Sequence, residues 1–579
     1  MKKALLIFFL LTGKNVFSQQ AWHGIERTVR YHPEGNDIVI KNGTKRFNRA
    51  LYGGNTAFRA EAGDLPEFAL YMPGMGGNIQ IGIIKGDKSK WLIHEKYIKA
   101  IYRAGSMLYE IKDPTLNKGV IYLDAIALYD REGFIIQLKT KNIPAGVELI
   151  VVYGGASGKK FSRDGDIGAD PESSFYLKPE YCTDDIYTLN KNSFSLLYGF
   201  SKTLTEEERY EIQNLKVDKT NQNKKTAEAK KIAGVFPEEM NIKLADANSL
   251  DSPLSVLRSQ PSSAPIVYGE QTLNKNDELY FFIGKQENIL VKYPELNTFF
   301  EKAEQQRKEL AERIKINTPD PYINTLGGVL SVAGDAIWDP PSYMHGAVAW
   351  RMRLNGWRGP YIADVFGWHD RAREHFNSYA KSQLTAPPVT GVVMDTALHL
   401  ARHLEKIGTA LFSDGYICRN PNDSTRANHY DMNLVFIDEL LNHFNWTVDT
   451  AYVKQMWPLI KRHLAWEKRN FDADDDGLYD AYAAIWASDA LEYSGGDVTH
   501  SSAYNYRANK TAAELAKLIG EDPSPYEKEA TKILSAINKQ LWMPDKGWYA
   551  EYKDLLGNKL IHPSAGLWTI YNAIDEGIR

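Results

Sequence analysis

Cysteine is almost absent. Cys182 and Cys418 are the only two in 579 residues, so neither a disulfide scaffold nor a thiolate metal site can be built, and both are expected buried and unpaired. Charge of one sign is also lacking: 69 Lys and Arg face 73 Asp and Glu, a net charge of -4. That balance offers no electrostatic grip on nucleic acid or on an anionic membrane. No segment reads as membrane-spanning. The apolar run Ala4 to Leu11 is too short to cross a bilayer. It follows Lys2 and Lys3 and precedes Val16-Phe17-Ser18, the pattern of a cleavable export leader over Met1 to Gln20. A periplasmic or secreted protein is expected, without a lipid anchor, because no Cys lies near the cleavage site.

Aromatic residues are plentiful, at 12%, with 13 Trp and 33 Tyr. Most such rings fill cores, yet flat apolar faces with polar edges also suit sugar rings. The length allows two or more domains, each with its own core.

Residues 21–294 read as β structure. Ile79 to Ile84, Gly119 to Tyr129, Phe134 to Lys139, Leu149 to Tyr153, Ile186 to Phe200 and Leu279 to Ile283 are alternating or β-branched runs between polar turns, which predicts a β-sandwich. Leu204 to Lys231 is a Lys-, Glu- and Asn-rich solvated excursion. Residues 295–320 predict a linker helix, with Leu296, Phe299, Phe300, Ala303, Leu310 and Ile314 near one face. From 321 to 579 the pattern turns helical, with segments near 343–354, 361–382, 393–407, 427–445, 449–470, 500–519, 523–541 and 563–576. Long polar loops alternate with short turns, as a closed ring of helical hairpins requires. Eight or nine helices fall short of the twelve in a six-hairpin ring, so the toroid is expected to be truncated and the chain to be part of a longer protein.

Three stretches carry candidate chemistry. Ile337 to His375 mixes Trp338, Trp357 and Trp368 with His345, Arg358, Asp364, His369 and Asp370, a composition suited to a sugar pocket. Cys418 to Asn433 is a polar loop ending in Tyr430 and Asp431. Phe471 to Lys510 is the most telling. It holds Trp486, Glu492, Tyr504 and Asn505 around Ser494-Gly495-Gly496-Asp497. Two glycines allow an unusual turn, and Asp497 at its end is the candidate proton donor of a glycoside hydrolase, its pKa raised by burial among aromatic rings. Asp472, Asp474 and Asp476 match the start of a calcium loop. Ala483 stands where the bidentate Glu belongs, so a capped turn is the preferred reading. No cofactor is expected, with a structural calcium as the alternative.

The pattern S-G-x-D after an acidic, aromatic run resembles the general-acid segment of inverting six-hairpin glycosidases of the trehalase and processing α-glucosidase kind. Glu492 stands one residue further from Ser494 than in their E-S-G-x-D. D-x-D-G-L-Y at Asp474 to Tyr479 and Ala503 to Tyr506 are similar too. The whole chain resembles a poorly characterised family of exported bacterial six-hairpin glycosidase-like proteins, in which a segment like Asn48 to Phe68 precedes the ring. The resemblance implies an (α/α)6 toroid after the sandwich, Asp497 as general acid, and a base beyond residue 579. An inverting, exo-acting hydrolase of polysaccharide side chains is the first expectation. The alternatives are a polysaccharide lyase acting on uronates through His500, Tyr504, Asn505, Tyr506 and Arg507, and a non-catalytic glycan-binding protein. Arg59, Glu61 and Asp64 are weighed as a loop reaching the ring's mouth against a structural ion-pair cluster.

Overall fold

The computed structural model describes residues 31–160, 172–183, 185–199, 230–261, 263–286, 291–347, 351–392, 406–484, 493, 495–555 and 558–578. The export leader, most of the excursion at 204–231, the helix near 393–407, Trp486 and Glu492 lie outside these residues.

Two large antiparallel sheets make up the first half. One has ten strands, running from His32–Glu34 at one edge to Ile186–Asn190 at the other. The other has eight, from Asn241–Asp246 to Arg49–Tyr52, with Lys88–Trp91 paired to its long strand Met75–Lys85. Period-two alternation explains how they meet. Ile121, Leu123, Ala125 and Ala127 of one sheet and Ile79, Ile81 and Ile83 of the other enter a shared core. Their alternates face outwards onto further cover. Ile84 packs under Leu177, Cys182 and Val256; Ile126 and Ile135 pack under Leu296, Phe300 and Ala303.

The helix Leu296–Ala311 therefore serves two cores. Its first turns cover the ten-stranded sheet, and Leu310 with the following Ile314 packs against the helical half. The buried Arg307 fastens it to the sheet by donating to the Ala104 carbonyl at 3.0 Å.

Arg59 and Glu61 lie on the strand Arg59–Ala62, buried and paired with each other. Asp64 accepts the Tyr31 hydroxyl at 2.7 Å and the Lys45 N–H at 3.1 Å. This is an ion-pair and hydrogen-bond cluster within the β half.

Helices follow at Leu326–Ala336, Gly359–Val365, His369–Ala380, Met432–Thr447, Thr450–Phe471, Thr499–Ile519, Ser524–Ala536 and Leu567–Asp575. The first was not legible because it begins Leu-Gly-Gly, a poor helix former. Those glycines admit a close approach: a Cβ at Gly327 would stand 2.5 Å from the Ile314 carbonyl oxygen. The described residues of the segment 343–354, 343–347 and 351–354, are not helical. Trp338–Asp339 pairs with Ser342–Tyr343, and Met344 bridges Arg353. Arg351 and Arg353 pin this hairpin by donating to the Ala336 carbonyl at 2.8 Å and the Ser342 hydroxyl at 2.7 Å. The segment 361–382 is two helices, broken where Gly367 takes φ +69° and Trp368 N–H returns to the Ala363 carbonyl at 2.7 Å, a left-handed helix stop.

Connection lengths define two ends. Only Val448 and Asp449 separate Met432–Thr447 from Thr450–Phe471, and a four-residue turn joins Thr499–Ile519 to Ser524–Ala536. The described parts of the long connections 472–498 and 537–566 lie at the opposite end. Side-chain contacts agree: Asn505, early in its helix, donates to Glu467, late in its own, at 3.0 Å.

Candidate active site

The long-connection end is built around the acidic turn. The helix Thr450–Phe471 stops at Asp472, whose Oδ1 accepts the Gly477 N–H at 3.1 Å, while Asp476 accepts the Leu478 N–H at 2.8 Å. Asp475 and Gly477 both take positive φ. The turn thus caps itself with its own carboxylates. The chain then runs outward to Asp480, which forms a backbone bridge with Asp497.

The two glycines before Asp497 behave as the sequence suggests. Gly495 has φ +81° and Gly496 φ +113°. A Cβ on Gly496 would stand 2.4 Å from the Lys553 carbonyl oxygen, so no side chain fits there. Asp497 lies on the short strand Gly496–Val498, paired with Tyr552–Asp554. Its carboxylate receives the Lys553 ammonium at 2.8 Å, and Lys553 is also held by Gln540 at 2.8 Å. The Asp497 side chain is 13% exposed. Burial raises its pKa, the Lys553 hydrogen bond opposes that, and Asp476 raises it further. Asp480 goes higher, to about 7, driven first by burial and then by the charges of Asp497, Asp474 and Asp476. Like charges in a half-dry site resist ionising together, and Asp480, which lacks the ammonium that Asp497 has in Lys553, is pushed furthest. Asp480 was missed by the sequence reading, although it follows directly on the Gly477-Leu478-Tyr479 signature.

An open cleft of about 1020 Å³ lies at the same end. Arg351, Arg353, Arg419, Arg426, Asp423 and Met352 are among its lining residues, and Asp497 is not. Tyr430 links the cleft to the carboxylate pair. It follows the lining residue Asn428 by two positions, and its hydroxyl accepts the N–H groups of Tyr482 at 2.6 Å and Ala483 at 2.9 Å. Asp431 is buried beside it. His345 stands edge-on to Trp357, ring centroids 4.1 Å apart. Trp357 is half-buried against two apolar clusters, one of which contains Tyr504. Arg358 is exposed with φ +66°.

Other sequence candidates go elsewhere. Trp338 and Trp368 are core: Trp338 packs on Tyr343 at 4.8 Å and Trp368 on Phe366 at 5.0 Å. Buried indoles offer no face to a sugar, so both leave the binding set. Asp364 and His369 lie at the short-turn end, with exposed Asp370 beside them. Asp364 Oδ1 contacts Nδ1 of His369 at 2.7 Å and of His443 at 2.8 Å. His443 is eleven residues into its helix, about 16 Å along the axis from the end that bears Tyr430. The sequence showed a shared helix face but not which end of the helix carries the site. Asn505 is fully buried and occupied by Glu467.

The acidic turn also tests the calcium reading. Asp472, Asp474 and Asp476 bring carboxylate oxygens within 4.8 Å of one another. The Asp472 carboxylate, however, already meets the ammoniums of Lys468 and Lys532, and Lys532 also reaches Asp475. Lysine ammoniums thus stand where a cation would approach Asp472.

Residues 382–558 match the bacterial alpha-L-rhamnosidase 6 hairpin glycosidase domain. The helical half carries a six-hairpin glycosidase-like domain. The β half, over residues 72–304, matches a domain of unknown function, DUF4450. A mannosylglycerate hydrolase from Rubrobacter radiotolerans is 46% identical over 43 residues, a stretch that is 7% of this chain and 10% of that protein. Among solved structures, a bacterial glucoamylase complexed with acarbose is 11% identical, with 90% of this chain and 72% of that one covered and a TM-score of 0.47. A GH78 family rhamnosidase of Bacillus sp. GL1 is 13% identical, covering 61% and 36%, with a TM-score of 0.36. These structural likenesses are loose. No described helix of the glycosidase-like domain, or of the rest of the chain, is long and apolar enough to cross a membrane.

Proposed function

We propose that the protein is an exported glycoside hydrolase, inverting and exo-acting, that removes sugars from side chains of a plant or microbial polysaccharide. The observation that carries the chemistry is the Asp480–Asp497 pair. Burial raises both carboxyls, Asp480 to about 7, and a carboxyl kept from ionising is what protonation of a departing glycosidic oxygen demands. Asp497 is the donor, supported by the S-G-x-D pattern, and Asp480 keeps the pair from ionising fully. The adjoining cleft takes the glycan. Inversion is supported by the same pattern, and export by the leader at Met1 to Gln20. The alternation of short and long connections supports an (α/α)6 arrangement of the helices.

The lyase constellation fares worse. His500 is fully buried, and burial drives its pKa down to about 3. Arg507 is tied to Asp438 at 3.2 Å and to Glu576 at 3.2 Å. Neither is free to meet a uronate.

The test uses the full chain on a panel of pectic, arabinogalactan and rhamnose-containing glycans, with the product anomer followed by NMR. Asp497→Asn and Asp480→Asn should each suppress hydrolysis while leaving the circular dichroism spectrum intact. Turnover retained in both variants would remove the pair from catalysis. A retained anomer would overturn inversion, and ultraviolet-absorbing products would favour elimination.

A further inference from the structure

The cleft has a charge its surroundings do not predict. The chain as a whole is slightly acidic, at -4, yet four guanidiniums, those of Arg351, Arg353, Arg419 and Arg426, line this one opening against the single carboxylate of Asp423. Their states of satisfaction differ. Arg353 is spent on structure: it donates to the Asp339 carbonyl at 3.1 Å, the Ser342 hydroxyl at 2.7 Å and the Pro340 carbonyl at 3.3 Å. Arg351 is not. Its side chain is only 8% exposed. Its Nη1 donates to the Ala336 carbonyl at 2.8 Å, but its buried Nη2 has no hydrogen-bond partner among the described residues. The nearest carboxylate oxygen, on Asp339, is 3.9 Å away, beyond hydrogen-bond reach. An orphaned guanidinium N–H in a nearly dry position is costly. Arg419 is also poorly served, because its Nη2 points at the Met352 thioether at 3.1 Å, a weak acceptor.

We propose that this cleft recognises a glycan bearing an anionic substituent, a uronate carboxylate or a sulfate ester, through Arg351 and Arg419. A planar guanidinium fork matches either oxyanion by paired charge-assisted hydrogen bonds. A turn of the Arg351 guanidinium toward the cleft it lines brings Nη2 out of its buried, unpartnered position to the anion, and the anion displaces the weak thioether contact of Arg419. Asn420 and Asn428, on the same wall, have the donors and acceptors for neighbouring hydroxyls. The proposal deepens the hydrolase reading by naming the substrate class, and it rests on that reading only for the ligand being a glycan.

Calorimetry on the full chain tests it, with three probes of equal length: an oligogalacturonide, a sulfated galactan oligosaccharide and a neutral galactan oligosaccharide. One anionic probe should bind at least tenfold more tightly than the neutral one, and the advantage should shrink between 20 and 200 mM salt. Which anionic probe wins distinguishes the carboxylate from the ester. Arg351→Met should remove the preference. Arg419→Gln and the exposed Arg426→Gln, which place less demand on the fold, should each weaken anionic binding severalfold and leave neutral binding unchanged. Equal binding of neutral and anionic probes, no binding of either, or indifference to the arginine substitutions in folded protein would overturn the proposal. Tight anionic binding without product release would instead uphold it and sink the hydrolase reading. Hydrolysis of neutral glycans, unaffected in the arginine variants, would do the reverse.

Discussion

Two buried carboxylates of the β half, Glu61 and Glu67, face cations. Glu61 meets Arg59, both almost wholly buried, and Glu67 gathers Arg46 at 2.6 Å, Asn78 at 3.0 Å and Gln80 at 3.1 Å. Burial pushes both carboxyls up, and each guanidinium pulls back down. In the helical half, Glu467 accepts one amide hydrogen bond, has the neutral His463 ring 3.9 Å away and stands at about 8, while Asp480 has other carboxylates for neighbours and stands at about 7. Where charge is matched, ionisation is compatible with a rigid scaffold. Where burial goes unmatched, a proton is kept, and kept protons are what acid catalysis uses. The β half is not uniform, since burial and the neighbouring Asp113 push Glu95 up to about 9, so the contrast is between these particular pairs rather than between whole halves.

Breaking a matched pair should have the largest effect. Arg59→Ala leaves Glu61 buried without its guanidinium, and we expect a loss of about 3–5 kcal/mol in urea unfolding; a loss under about 1 kcal/mol would erase the contrast. Removing the unmatched proton should instead spare the fold and cost turnover. Asp497→Asn should lower kcat by roughly 10²–10⁴-fold. The wild-type rate should decline as pH rises through about 7, where Asp480 ionises and the pair loses its proton, and Asp480→Asn should move that limb.

Glu467 sharpens the comparison through stability. Its folded pKa of about 8 lies above the ordinary value of 4.5, so the unfolded chain releases this proton first. Its contribution is fully present below pH 4.5 and is lost as pH rises to about 8. Between pH 5 and 7.5 the loss is roughly 3 kcal/mol, and Glu467→Gln should flatten that slope in urea midpoints measured across the range. Gly496→Ala should cost about 1–3 kcal/mol, because φ +113° and the Lys553 carbonyl both reject a methyl group; a neutral result would mean that the strand re-registers. Smallest of all, millimolar calcium should leave the melting temperature within about 1 °C, since lysines already meet Asp472.

Period-two alternation made the strands legible, because one sheet face in each case is a continuous apolar surface. The helix near 295–316 was legible from its apolar stripe, and the double-glycine turn from the backbone freedom of glycine. The hairpin of Trp338–Asp339 and Ser342–Tyr343 was not, because Arg351 and Arg353 reaching back to it, rather than its own periodicity, hold it in place. The tryptophans misled for a related reason. Trp338 and Trp357 look alike in sequence, and only the direction in which each chain segment leaves its helix decides that one ring is core and the other lies at the site end. Asp480 was obscured among several acids, and its distinction is its neighbours' charge, which no linear spacing displays.

The helix Leu296–Ala311, shared between two cores, constrains how this chain can be cut. An expressed fragment starting after it would lose Leu310 from the helical core, and a fragment ending before it would leave Ile126, Ile135 and Phe282 uncovered. The halves are thus two architectures but one unit of manufacture, and evolution can exchange one of them only by bringing the clasp along.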